Sequence, residues 1–240
     1  MYSDTFLKIV ERRRSNRSFN PDVPVPDEVI RAALECAVLA PNSSNMQLWE
    51  FHWIRSPEVK ERFVPLCLDQ SAARTAQQLV VFVTRRDRWK ERARWNYERV
   101  QEGIQGEPNK LQRNGLRYYG QLVPWMYRSD PFGFMGAFRY LTSWFMGLLR
   151  PFPRLGGSCS QRVVVHKSCA LAAQQFMLAI AAADFDTCPM EGFDARRVRR
   201  ALGLPRGAEI NMVIGVGKGT ERGVWGPRYR VPFDHVVFRH

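Results

Sequence analysis

Arg13, Ser15 and Arg17 alternate within RRRSNRSF (residues 12–19), so an extended chain turns all three to one side. Two guanidinium forks and a hydroxyl suit the oxygens of a phosphate monoester, which arginine meets through charge-assisted, often bidentate hydrogen bonds. The same residues also read as a solvated basic helix end that complements the macrodipole. Near the C-terminus, PRYR repeats the alternation with Arg228 and Arg230, a pair that plain surface charge explains equally well.

Two other stretches place short polar groups where a ligand would meet them. PNSSNMQLW (41–49) sets Asn42, Ser43 and Asn45 in a loop between a helical pattern and an aromatic, strand-like run. Such side chains reach a polar ligand at small entropic cost, although helix-stop and turn chemistry uses the same residues. TCPMEGFD (187–194) is read as a loop that presents backbone N–H groups around Glu191 and Gly192, with Asp194 as the N-cap of the next helix. A plain loop into a capped helix is the competing reading. Cys188 has no histidine at a suggestive spacing and reads as a small buried residue, not a nucleophile. His166 reads as a structural polar residue.

In order and spacing, these four stretches resemble the FMN-dependent nitroreductase family over about residues 5–85 and 165–238. The family's Arg-x-Ser-x-Arg/Lys stretch is matched by Arg13-Arg14-Ser15-Asn16-Arg17. Its Pro-Ser-Ser-x-Asn-x-Gln-Pro-Trp loop is matched by PNSSNMQLW, its Pro-x-Glu-Gly-Phe-Asp segment by PMEGFD, and its late basic pair by Arg228 and Arg230. Leu48 departs from the pattern, standing where many members have proline.

The resemblance implies an α+β fold with a central, mainly antiparallel sheet flanked by helices, in an intertwined homodimer with FMN at the interface. It implies that Arg13, Ser15, Arg228 and Arg230, with Arg14 among them, hold the ribityl phosphate and its surroundings. Arg17 would lie towards the flavin pyrimidine, where a cation favours the reduced ring. Asn42, Ser43 and Asn45 would reach the ring and ribityl chain from the partner subunit. Pro189, Met190, Glu191 and Gly192 would line the N5 side, with the Glu191 backbone facing N5. Gln70 and Arg74 are further cofactor candidates whose spacing decides nothing. No catalytic side chain and no metal is called for. The implied activity is ping-pong reduction of nitroaromatic, quinone or related acceptors by NAD(P)H. Reductive dehalogenation or flavin breakdown on the same scaffold stays open, as does a flavin-binding protein of a membrane surface.

The elements that must position these residues follow from periodicity. Residues 5–14 are helical, and a second helix after Pro26 puts Val29, Ile30, Ala33, Leu34, Ala37 and Val38 on one face until Pro41 stops it. Residues 50–54 alternate as a strand, 57–67 read as a helix, LVVFVT (79–84) as a buried strand and 87–103 as a charged helix. A small-residue helix (166–185), a short helix ARRVRRALGL and a strand INMVIGVG close the pattern. This is a single domain over 1–240 carrying an aromatic-rich insertion at about 106–160. Within it, Phe134, Phe138, Leu141, Phe145 and Leu148 recur at helical spacing, with polar relief only from Arg139, Thr142 and Ser143 and with Arg128, Arg150 and Arg154 flanking. A helix so apolar must be covered: by this protein's own core or dimer interface, as a lid over the pocket, or by a membrane interface met through 124–154.

The balance of 36 Lys and Arg against 23 Asp and Glu gives a net charge of +13, which favours anionic partners. No nucleic-acid module accompanies it, so nucleic acid is not expected. Five cysteines without a Cys-x-x-Cys pair argue against a disulfide framework or zinc site and for a reducing cytoplasm, with peripheral contact at the inner face of a membrane as the variant reading.

Overall fold

Every residue of QLVVFVT (78–84) is buried, and its side chains alternate between two separate cores. Leu79, Val81 and Val83 enter one core while Val80 and Phe82 enter the other, as the two-residue period of a strand covered on both faces requires. The chain is described by a computed structural model that covers residues 2–128, 132–153 and 157–240.

It runs α1 (Tyr2–Arg12), α2 (Asp27–Val38), β1 (Trp49–Ile54), α3 (Pro57–Phe63), α4 (Ser71–Thr75) and β2 (Gln78–Thr84). Then follow α5 (Trp89–Glu102), α6 (Lys110–Arg117), α7 (Val123–Tyr127), α8 (Phe134–Leu149) and α9 (Gly157–Ala182). The last elements are β3 (Asp186–Met190), α10 (Ala195–Ala201) and β4 (Glu209–Gly217). The sheet order is β1-β2-β4-β3, with every pair antiparallel, so the fold is α+β.

One face of the sheet is covered by α2 and α9, whose Ile30, Ala33 and Ala37 meet Ala172, Ala173 and Phe176. Small residues let the two helices approach closely, and the Phe82 and Phe176 rings meet edge to face at 5.5 Å. By length and hydropathy Cys159–Ala182 of α9 would pass for a membrane span, yet this helix is the packed partner of α2 and the sheet. The opposite face is covered by Phe63 of α3, Ala72 and Ala73 of α4, and Val198 of α10.

Two expectations change. The TCPM part of TCPMEGFD is a strand, not a loop. β3 lies at the end of the strand order with β4 as its strand neighbour, and an edge is where a strand tolerates a proline such as Pro189. Among the described residues, the 106–160 segment carries α6, α7, α8 and the start of α9, and α8 is turned opposite to a core helix. Its buried residues are Arg139 and Ser143, while Phe138, Leu141, Phe145 and Leu148 face outward. The apolar stripe is therefore not part of this chain's own core. Arg139 is drawn inward because it donates to the carbonyls of Trp125 (3.2 Å) and Arg128 (2.5 Å), which the end of α7 leaves without helical partners. Arg154 lies outside the described residues.

Candidate functional site

The α1 helix stops at Arg12, which donates to the Phe185 carbonyl at 2.7 Å and pairs with Asp184 at 2.8 Å, fastening the helix end to the chain entering β3. The backbone then extends. Ser15 bridges Thr187 in parallel and the Asn16 N–H donates to the Thr187 carbonyl at 3.0 Å, so residues 13–17 run alongside β3. This is the extended geometry that the Arg-x-Ser-x-Arg alternation predicts.

Asn16 points the other way and is buried. It donates to the Thr220 carbonyl and accepts from the Ser18 N–H, holding the chain after β4 against this segment. A Cβ built on Gly223 would lie 1.7 Å from the Asn16 Oδ1, so only glycine permits that approach. Asn16 was legible only as the unassigned residue between Ser15 and Arg17.

The clamp brings the C-terminal tail over residues 13–17. Arg13, Arg14, Ser15, Arg17, Trp225, Pro227, Arg228, Tyr229 and Arg230 enclose a cavity of about 310 Å³. Five arginines meet there, and among the described residues none of them pairs with a carboxylate. Burial and the charges of Arg228, Arg230 and Arg14 lower the Arg13 pKa from its ordinary value. Such a cluster is electrostatically incomplete without an anion. Four of the arginines already donate to backbone carbonyls, Arg17 to Ser15 (3.3 Å) and Arg230 to Tyr229 (2.6 Å) among them. Arg228 donates to the Glu11 (2.6 Å) and Arg13 (2.9 Å) carbonyls at the α1 C-terminus, and Arg14 to the Gly226 carbonyl at 2.9 Å. Arg17 lies 4.3 Å from the centre of the Trp225 ring, a cation–π contact that fixes its direction. Trp225 carried no signal in sequence.

From Ser15, β3 leads towards Glu191 and Gly192, the first of them four residues beyond Thr187, or about 13 Å of extended chain. Gly192 is held by Gln70, whose amide donates to the Gly192 carbonyl at 2.5 Å and to the Cys67 carbonyl at 3.0 Å. Gln70 therefore adjoins the expected N5 segment, while Arg74 is tied to the Asp69 carbonyl at 2.9 Å. Met190 is buried in the core, while Glu191 and Gly192 are exposed at the end of β3. Burial pushes the Cys188 thiol pKa up against the opposing charge of Arg17, as expected of an inert thiol. His166 contacts Glu209 (3.3 Å) and Asn211 (3.1 Å), which accounts for it structurally.

The polar loop lies elsewhere. Ser44, Asn45 and Gln47 all have φ between 47° and 58°, the left-handed region that side chains seldom occupy. The strain is held by an amide clasp: Asn45 donates to Asn96 Oδ1 at 3.0 Å, and Asn96 returns a bond to the Asn45 carbonyl at 2.9 Å. Asn42 accepts from the Gln47 N–H at 2.8 Å, and the Ser43 N–H donates to Ser168 of α9 at 3.3 Å. Such local strain concentrates at functional sites. Leu48 is buried with Met46, Val123 and Tyr127, which suits the apolar residue standing in proline's place.

Ser43 and Ser44 also border a small, mainly apolar cavity of about 190 Å³ with Tyr118, Met126, Tyr127, Arg139 and Val164. A larger open groove of about 870 Å³ between α5 and residues 116–124 touches none of the expected site residues.

Thus one chain gathers Arg13, Arg14, Ser15, Arg17, Arg228 and Arg230 beside β3, whose end carries Glu191 and Gly192. It does not bring Asn42, Ser43 and Asn45 to them. The loop is anchored at Ser168 and the arginine segment beyond the end of α9, so about 20 Å of helix separates the two anchors.

Comparison with known proteins gives this geometry a context. A family model described as the nitroreductase family matches residues 10–121 and 151–218, leaving 122–150 outside the match. The chain is 28% identical to Protein DrgA of Synechocystis, over 91% of this chain and 85% of that one. It is 27% identical to an NADH dehydrogenase of Thermus thermophilus, over 94% of this chain and 91% of that one. A solved chain from Exiguobacterium sibiricum in complex with FMN superposes with a TM-score of 0.68 at 23% identity, covering 98% of this chain and 97% of that chain.

Proposed function

This chain belongs to the nitroreductase family, and from that premise we propose that it is a homodimeric, FMN-dependent oxidoreductase that passes reducing equivalents from NAD(P)H to a flat, apolar acceptor such as a quinone or nitroaromatic. The observation that carries the reading is the arginine cavity. Its residues fit the phosphate end of FMN: five guanidinium groups, one of them lowered in pKa by its neighbours, converge without a carboxylate. When bound, FMN supplies the two-electron chemistry.

The chain's own residues then divide the work. Arg13, Arg14, Arg228 and Arg230, with Ser15, hold the phosphate end. Arg17, steadied by Trp225, supplies positive charge further along β3. Pro189, Met190, Glu191 and Gly192 present backbone at the far end, where the Gln70 amide fixes the Gly192 peptide. Asn42, Ser43 and Asn45 come from the other subunit. Two features support the dimer: the separation of the loop from the arginines along α9, and the tail residues Tyr229, Phe233 and Phe238, which are at least 66% exposed in the single chain. The apolar cavity beside Ser43 and Ser44 suits an aromatic acceptor.

The absorption spectrum of the purified protein tests the reading, followed by anaerobic mixing with NADH or NADPH. Flavin bands that bleach on mixing are expected. Absence of flavin, or a bound flavin that neither nucleotide reduces, would refute it. Sedimentation of the holoprotein as a monomer would refute the dimer.

A further inference from the structure

Helix α8 has its polarity reversed. Around the helix, Phe138, Tyr140, Leu141, Phe145, Leu148 and Leu149 occupy one outward half, and each is more than half exposed. The inward half carries Arg139 and Ser143, exposed by only 1% and 2%, with Gly136, Thr142, Met146 and Gly147. The polar groups there are satisfied locally. Thr142 donates to the Phe138 carbonyl and Ser143 to the Tyr140 carbonyl, while Arg139 holds the end of α7. The outward half contains no charged residue at all. Three aromatic side chains more than half exposed offer roughly 300 Å², and the leucines add to that. Monomeric soluble proteins seldom leave more than a few hundred Å² of contiguous apolar surface in water.

We propose that this face docks the protein on an anionic membrane surface, with α8 lying in the plane of the lipid interface. Charge decides the occupant. Between Glu107 and Asp184 the sequence carries nine Lys and Arg and one acidic residue, Asp130. Arg150 stands exposed at the C-terminal end of α8, and Arg128, also exposed, ends α7 where Arg139 holds its carbonyl, so both flank the helix, as suits anionic headgroups around a helix seated at the acyl boundary. A second copy of the same face would bring these arginines against one another, which like-charge repulsion opposes. The helix has 16 residues, about 24 Å in length, against the roughly 20 apolar residues that spanning requires, so it lies on the membrane and does not cross it. The family match leaves out residues 122–150, which contain α8.

Flotation of the FMN-loaded full-length protein with vesicles of phosphatidylcholine, with and without phosphatidylserine, tests this. The protein should float with the phosphatidylserine vesicles only, and less at high salt. A Phe138→Ser, Leu141→Ser, Phe145→Ser variant should lose about tenfold or more in vesicle affinity while its flavin content and its rate of flavin reduction by NADH stay unchanged. An Arg128→Glu, Arg150→Glu variant, which leaves the apolar face intact, should lose binding to the anionic vesicles as well. Failure of the parent to float, or equal flotation of both variants, would overturn the proposal. So would a halving of sedimentation mass in the serine variant without vesicles, which would identify the face as a contact between copies.

Discussion

Replacing Arg13 by alanine should weaken FMN binding without weakening the flavin-free protein, and the two halves of that statement rest on different observations. Among the described residues the Arg13 guanidinium has no ion pair, and its charged form is disfavoured by burial and by Arg228, Arg230 and Arg14. Removing it takes away repulsion together with some packing of its stem, so apo stability should change by less than about 0.5 kcal/mol or rise. Towards a phosphate the same residue contributes a charge-assisted hydrogen bond worth roughly 1.5–3 kcal/mol. Its loss raises the dissociation constant roughly ten- to 150-fold. Arg228→Ala is the contrast. That side chain already donates to the Glu11 and Arg13 carbonyls, so its removal should cost the apoprotein about 1–2 kcal/mol as well as weakening FMN. Quenching of flavin fluorescence on titration into apoprotein measures the first quantity, and urea unfolding of apoprotein the second. If Arg13→Ala binds FMN as tightly as the parent, the phosphate does not sit in this cavity. If it destabilises the apoprotein as much as Arg228→Ala, the cluster is a structural network and its repulsive character is misread.

Cys188→Ser should retain most NADH-dependent turnover, because burial raises the thiol pKa and keeps it protonated; loss of turnover with flavin still bound would contradict this. Asn96→Ala breaks both bonds of the clasp on Asn45 and should cost about 1–2 kcal/mol in unfolding free energy. It should also raise the FMN dissociation constant, and an unchanged constant would separate the loop from the flavin. The Lys218 hydrogen bond, with Arg12 adding, holds the Asp184 carboxyl below its usual range, so its stabilising effect is present above the ordinary carboxylate pKa and fades as pH falls through the native value. Parent protein should therefore be more stable than Lys218→Met at neutral pH, with the gap closing in acid; a gap independent of pH would contradict the pairing. Arg85→Met removes a buried cation from Glu50 and Asp87 and should destabilise by about 2–3 kcal/mol in thermal or urea unfolding.

What sequence made legible, and what it did not, divides by the range of the physics involved. Strand β2 and helix α2 were readable because their side-chain periods report burial directly, and the arginine alternation was readable because it needs only an extended backbone. β3 was missed because a five-residue edge strand containing proline carries the composition of a loop, and pairing with β4 overrides that local preference. Asn16 and Trp225 were missed because their roles depend on a tail more than 200 residues distant arriving beside α1. The case of α8 is different. Its period was read correctly, and Arg139, Thr142 and Ser143 were singled out as its polar relief, yet which cover its apolar side meets (core or dimer interface, pocket or membrane) stayed open. Periodicity defines two faces and leaves open which of them meets the chain. Here the carbonyls ending α7 need a donor, and Arg139 supplies one from the polar face, which leaves the aromatic face outward. A buried polar anchor thus sets the helix orientation, and the apolar surface it exposes is a consequence of that anchor.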